Sequence, residues 1–173
     1  IESRQHSTCA WISKLQDLAL GIMIDCVNDG NDVTSNHVQS NICNLLHDEL
    51  HRLTNGQICL RELIITRRVT KTLEQFTVST LTHSALLRAN AMGHSIPPGR
   101  KARFVVVRCG SSNPADRVIL LEEIGNLSNV RIDVDYYREL AVRATWAILG
   151  PYGWTDKEIA AGSRSMTLFD FQS

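Results

Sequence analysis

The sequence predicts an α+β fold that is mainly helical, a helical bundle carrying a small antiparallel β element. Two observations lead there. Several long segments place apolar residues at the i, i+3, i+4 spacing of a one-sided helix, and short runs of β-branched and large apolar residues stand between turn-forming stretches. With 173 residues and 43% hydrophobic content the chain can bury an ordinary core, so one domain, or one domain plus a tail, is expected.

In chain order, Leu15, Leu18, Ala19, Ile22, Met23 and Cys26 form one stripe, predicting a helix over Ser13–Val27. Asn28-Asp29-Gly30-Asn31-Asp32 ends it, because Gly and Asn tolerate positive φ. Thr34 or Ser35 can cap a second helix, striped by Val38, Ile42, Leu45, Leu46, Leu50 and Leu53 and closed at Asn55-Gly56. The short connection predicts that the two run antiparallel. Ile58–Val69 then compacts into Leu63-Ile64-Ile65, a short strand or extended segment leading to Arg67, Arg68 and Lys71. Ser84–Met92 predicts a third helix stopping at Gly93, and Pro97-Pro98-Gly99 a turn. Arg103–Cys109 and Arg117–Glu123 read as strands that pair across Gly110–Asp116. Tyr136, Tyr137, Leu140, Ala141, Ala144 and Ile148 mark a fourth helix over Asp133–Leu149, ended by Gly150-Pro151. Trp154–Ala161 is weakly helical, and Ser163–Ser173 follows as a tail.

Composition excludes several classes. Eighteen basic residues balance eighteen acidic ones, so any polyanion partner must be met by local clustering rather than overall charge. Apolar runs such as Phe104–Val107 fall far short of the roughly twenty residues of a membrane span. Ile1 in place of Met, with no leader before it, reads as a piece of a longer chain. Cys9, Cys26, Cys43, Cys59 and Cys109 are odd in number and never spaced C-x-x-C, which predicts free, buried thiols in a reducing compartment.

Motifs of catalysis are scarce. His47 and His51 share a helical face at zinc-chelating spacing, but Asp48 stands where the metalloprotease pattern needs Glu, and no second ligand pair is evident; a solvated face is the reading, and no metal site is assigned. Phosphate loop, nucleophile elbow and Cys–His pattern are all missing, so no catalytic residue is assigned. Of the paired carboxylates Asp48/Glu49, Glu122/Glu123 and Asp133/Asp135, the last sits just before a helix, where carboxylates cap and favour the positive dipole end. Two concentrations of positive charge remain, Arg67-Arg68 with Lys71 and Arg100-Lys101 with Arg103. If they converge they can neutralise successive backbone phosphates; otherwise each is an ordinary solvated face.

A family resemblance adds to this reading. Glu62-Leu63-Ile64-Ile65-Thr66-Arg67-Arg68-Val69-Thr70-Lys71-Thr72-Leu73-Glu74-Gln75-Phe76 resembles the "E-L-V-I-x-K-x-L-T-K/R-x-L-x-x-Y" block of family B DNA polymerase thumbs. His83 and Ala85 are similar to the start of the helix that follows it, with Arg88 at a commonly basic position. The run from Ile96-Pro97-Pro98-Gly99-Arg100-Lys101 to Val107 is similar to "I-R-P-G-D-K-I-x-Y-V-V-V", and Asp116-Arg117 to "D-R-A". Ile132-Asp133-Val134-Asp135-Tyr136-Tyr137 resembles "I-D-x-x-Y-Y", and Tyr152-Gly153-Trp154 resembles "F-G-Y". The blocks cover nearly the whole chain in order. The chain departs at Ile1-Glu2-Ser3-Arg4-Gln5-His6-Ser7, where the family has "G-I/L-E-x-V-R-R-D", and lacks the Gln and Pro that follow "Y-Y".

What the resemblance implies is the thumb subdomain of an archaeal-type family B polymerase over residues 1–161, with a flexible tail over 162–173. The family's catalytic aspartates would lie upstream of Ile1, so the segment alone is expected to be inactive; it holds no cofactor, and the Mg2+ of nucleotide transfer belongs to the complete polymerase. Arg67, Arg68, Lys71, His83, Arg88, Arg100 and Lys101 would contact the backbone of primer-template DNA. The implied partners are that duplex and the palm and exonuclease parts, on the same chain or a separate subunit, with a cytoplasmic location, nuclear in a eukaryote. A second reading stays open, a non-catalytic DNA-binding or assembly module derived from an inactivated polymerase. For the tail, Leu168 and Phe171 fall at the anchor spacing of a sliding-clamp peptide, against the alternative of a plain disordered end.

Overall fold

The computed structural model describes residues 8–127 and 130–162. Its elements in order are α1 (Ala10–Asn28), α2 (Asn36–Thr54), β1 (Ile65–Arg68), α3 (Leu81–Ala91), β2 (Lys101–Val106), β3 (Val118–Leu120), α4 (Leu121–Ile124), α5 (Val134–Leu149) and α6 (Asp156–Ala161). The fold is mainly helical with one small antiparallel sheet, as the periodicities predict. The chain forms two compact units, Ile1–Trp11 with Ile58–Tyr136, and Ile12–Gln57 with Tyr137–Ser173. No helix among the described residues is long and apolar enough to cross a membrane.

The first unit is built on a three-stranded antiparallel sheet of order β1-β2-β3. Ile65 pairs with Phe104, and Phe104 in turn with Leu120; Val106 pairs with Val118. Residues directly opposite in antiparallel strands share a face, so Ile65, Ala102, Phe104, Val106, Val118 and Leu120 form one apolar face, and all six are buried. Helix α3 packs on β2 and β3, contributing Ala85, Leu86 and Ala89 to the core. It begins at Leu81 rather than Ser84, because Thr80 Oγ1 accepts the His83 N–H at 3.2 Å and so caps the first turn. The β3 strand ends at Leu120, short of the expected Glu123. There the Glu123 carboxylate turns back to accept the Leu120 N–H at 2.8 Å and starts α4. Likewise β2 spans Lys101–Val106 rather than Arg103–Cys109, since the Cys109 N–H is taken by Asp133 Oδ2 at 2.7 Å. Asp133 Oδ1 also accepts the Tyr136 N–H at 3.0 Å, the capping role expected for it.

The second unit is helical. Its core holds Leu15, Ala19 and Cys26 of α1, Val38, Ile42, Cys43, Leu46 and Leu53 of α2, and Ala141, Ala144, Ile148 and Leu149 of α5. Helix α1 ends at Asn28 and is closed by Gly30, whose φ of 71° suits glycine; the Gly30 N–H reaches the Val27 carbonyl and the Asn31 N–H the Cys26 carbonyl, both at 3.0 Å. Of the two caps considered for α2, Ser35 serves; Thr34 instead donates its hydroxyl to Asp32 at 2.6 Å. Burial pushes the Cys43 thiol up to about 11, so it stays protonated and packs as a small apolar group. The expectation of buried thiols fails for two cysteines, since Cys59 is exposed and Cys109 half-buried.

One polar pair crosses this apolar interior. The indole N–H of Trp154, 4% exposed, donates to Gln39 Oε1, while Gln39 Nε2 donates to the Thr34 carbonyl at 3.1 Å. A buried donor deprived of its acceptor costs about 1–3 kcal/mol. Gln39→Leu, close to it in volume, is therefore expected to lower unfolding stability by roughly that amount in urea melts. A midpoint unchanged from the parent would show that this bond carries no weight.

Candidate nucleic-acid interface

The antiparallel register of β1 and β2 decides where the basic residues point. Thr66 lies opposite Arg103, Arg67 opposite Ala102, and Arg68 opposite Lys101. Alternation puts Thr66, Arg68, Lys101 and Arg103 on the face away from the apolar core face, and Arg67 on the other. Beyond the strands the Val69 N–H donates to the Arg100 carbonyl and the Gly99 N–H to the Val69 carbonyl, each at 2.8 Å. Gly99, at φ 91°, makes the turn after Pro97-Pro98 that permits this close. The two basic groups, separate in sequence, thus meet at one end of one ladder.

Arg68, Lys101 and Arg103 form a three-cation patch. Opposite residues have Cβ atoms roughly 5 Å apart, and like charges there destabilise a ladder. All three are exposed, as are Arg67, Lys71 and Arg100, and none of the six forms an ion pair with a described residue. Such a patch is stabilised by a polyanion that spans it, whose backbone phosphates replace the missing counter-charges. Arg103 belongs to this patch although it is not among the duplex contacts the resemblance implies. Its i, i+2 relation to Lys101 is the signal that finds it. Arg67, on the opposite face of the edge strand β1, fits a charge that guards the edge against pairing.

Arg88 and His83 are placed differently. The Arg88 guanidinium forks onto Glu123, Nε to Oε2 at 2.8 Å and Nη2 to Oε1 at 2.6 Å, and Nη1 donates to the Ala115 carbonyl at 3.3 Å. The fork holds the Arg88 charge above the ordinary arginine range, against the opposing effect of burial. Burial acts to raise the Glu123 carboxyl, but the Arg88 fork and the Leu120 N–H outweigh it and hold the acid below its ordinary value. Arg88 therefore ties α3 to the β3–α4 corner with its charge already matched. His83 stacks on Phe76 with ring centroids 5.2 Å apart, and its Nδ1 is enclosed without a hydrogen-bond partner among the described residues.

The other candidates divide simply. His47 and His51 are both exposed, and among the described residues no group of three His, Cys, Asp or Glu side chains could hold a metal ion. Leu168 and Phe171 lie outside the described residues.

No family model matches the chain. Over 123 residues, 70% of its length, it is 29% identical to DNA polymerase 2 of Aeropyrum pernix. Over 143 residues, 75% of its length, it is 29% identical to a DNA polymerase of Archaeoglobus fulgidus. It spans only 15% and 18% of those two proteins. Its fold matches part of the family B DNA polymerase from the hyperthermophilic archaeon Pyrobaculum calidifontis with a TM-score of 0.67 and 20% identity, over 86% of this chain and 18% of that one. In motif order and sequence the chain is similar to a segment of archaeal DNA polymerases, and its fold is that of part of a family B enzyme.

Proposed function

We propose that the chain acts as the thumb part of a DNA-directed DNA polymerase, gripping primer-template duplex through its phosphate backbone during replication or repair. The observation that carries this reading is the cation patch of Arg68, Lys101 and Arg103, exposed, mutually repelling and without acidic partners among the described residues. Lys71 and Arg100 border the patch at the Val69–Gly99 end of the ladder and extend the grip. In this reading Arg67 adds charge at the strand edge, His83 supports the α3 start through Phe76, and Arg88 contributes by holding the unit together. The palm and exonuclease parts complete the enzyme, and Leu168 with Phe171 supplies the anchors of a sliding-clamp contact. A cytoplasmic or nuclear location follows from the same role.

Fluorescence anisotropy with a labelled primer-template duplex tests the grip. Affinity is expected to fall with salt along a log–log slope of at least about −2.7, from three phosphates at roughly 0.9 each. Binding that is absent at low salt, or indifferent to salt, would sink the proposal. Primer extension by the complete polymerase or reconstituted complex then separates an active enzyme from a module that only binds.

A further inference from the structure

Helix α1 carries an apolar surface that the core of the second unit does not cover. Its Leu15, Ala19 and Cys26 are buried, whereas Leu18, Ile24 and Val27 are 53%, 59% and 57% exposed. With Gly21 these three form an i, i+3 row, Leu18-Gly21-Ile24-Val27, and such rows are the ridges by which helices pack on one another. A second row, Asp17, Gly21, Asp25 and Asp29 at i+4 intervals, crosses the first at Gly21. Asp29 stands just past the helix, where its N–H still reaches the Asp25 carbonyl at 3.0 Å. A Cβ placed on Gly21 would meet nothing within 4 Å. The crossing point is thus an open notch, walled by Leu18 and Ile24 and rimmed by Asp17 and Asp25.

Each of these features works against the helix on its own. Glycine is a poor helix former, carboxylates one turn apart repel, and Asp25 and Asp29 stand at the negative end of the helix dipole. Asp17, Asp25 and Asp29 are exposed, and none makes an ion pair with a described residue. A partner with an apolar side chain for the notch and cations for the rim answers both rows together. The sign of the charge selects that partner. Between Lys14 and Arg52 the chain carries Asp17, Asp25, Asp29, Asp32, Asp48 and Glu49, and neither lysine nor arginine. Duplex DNA is repelled by such a surface, and a second copy of α1 would set carboxylates against carboxylates.

We propose that the Leu18-Gly21-Ile24-Val27 ridge docks a basic amphipathic helix of a second protein, with a large apolar side chain of that helix seated at Gly21 and its lysine or arginine flank against Asp17, Asp25 and Asp29. The surface belongs to the second unit, and the inference stands whether or not the cation patch of the first holds duplex.

The test is a titration of the whole chain, followed by two-dimensional NMR, with a designed helical peptide of about five turns that has one leucine stripe and lysine elsewhere. Its counterpart has glutamate in place of every lysine. The basic peptide is expected to bind with Kd on the order of 10–100 μM, shifting resonances of Leu18, Gly21, Ile24 and Val27, and the acidic one at least about tenfold more weakly. Gly21→Gln fills the notch with a better helix former, so it should weaken the basic peptide about tenfold while leaving the melting temperature unchanged or raised. Asp17→Lys combined with Asp25→Lys should reverse the preference between the two peptides. Saturation absent at about 1 mM, equal affinity for both peptides, or Gly21→Gln binding as the parent does overturns the site. Dimerisation of the chain that Gly21→Gln abolishes also overturns it, and assigns the ridge to a second copy. A complete polymerase that ignores the peptide its isolated segment binds overturns it as well, and assigns the ridge to the polymerase's own remaining parts.

Discussion

Replacing Arg68, Lys101 and Arg103 together by Ala should flatten the salt dependence of duplex binding by about 2.7 log units per log unit of salt, because each cation that neutralises a phosphate contributes roughly 0.9. Over a fourfold rise in salt the parent then loses about fortyfold more affinity than the variant. The register makes the prediction specific, for it sets these three side chains on one face and Arg67 on the other. Arg67→Ala should change the slope by less than Arg68→Ala does. Stability supplies an independent readout. Removing like charges that face each other across a ladder should leave the melting temperature unchanged or raise it slightly, within about 0.5 kcal/mol. A triple variant that folds normally and keeps the parent's slope would remove the patch from any role in holding DNA.

The patch was only half legible in the sequence. Two basic groups, Arg67–Lys71 and Arg100–Arg103, stand well apart in the chain, and composition says nothing about whether they meet. Local rules succeed where the physics is local. The Asn28-Asp29-Gly30 turn chemistry closes α1, Ser35 caps α2, and Asp133 caps α5, each within a few residues of the group it satisfies. They miss where a distant partner decides. Glu123 reads as part of a strand until Arg88, thirty-five residues earlier, and the Leu120 N–H draw its carboxylate inward and end β3. Arg88 likewise reads as a phosphate contact from its place in a motif, and only the fold reveals its acid. Strand alternation, applied to Lys101 and Arg103, would have placed both on one face from sequence alone. The same rule would have parted Arg67 from Arg68.

Loss of the Arg88–Glu123 fork is expected to destabilise the first unit without altering the salt slope of DNA binding. The pair is partly buried, with side chains 26% and 13% exposed, and its members come from α3 and α4. Truncating one partner of a buried pair leaves the other charge desolvated, at about 3–5 kcal/mol; the residual exposure here lowers the expectation for Arg88→Ala to about 2–3 kcal/mol. Lysine would not restore it, because the two-pronged geometry needs a guanidinium. The pH dependence has a definite sign. Glu123 is held below its ordinary carboxylic value of 4.5 in the folded chain, so its contribution is complete above that pH and is lost as pH falls through the lower folded value. Urea melts of the parent from pH 7 to pH 3 should therefore show an acid-labile increment that is absent from Glu123→Gln. If Glu123→Gln loses stability with acid as steeply as the parent, the fork is not its source. If Arg88→Gln, measured where it is folded, flattens the salt slope by about 0.9, the guanidinium reaches a phosphate after all and its bond to Glu123 opens in the complex.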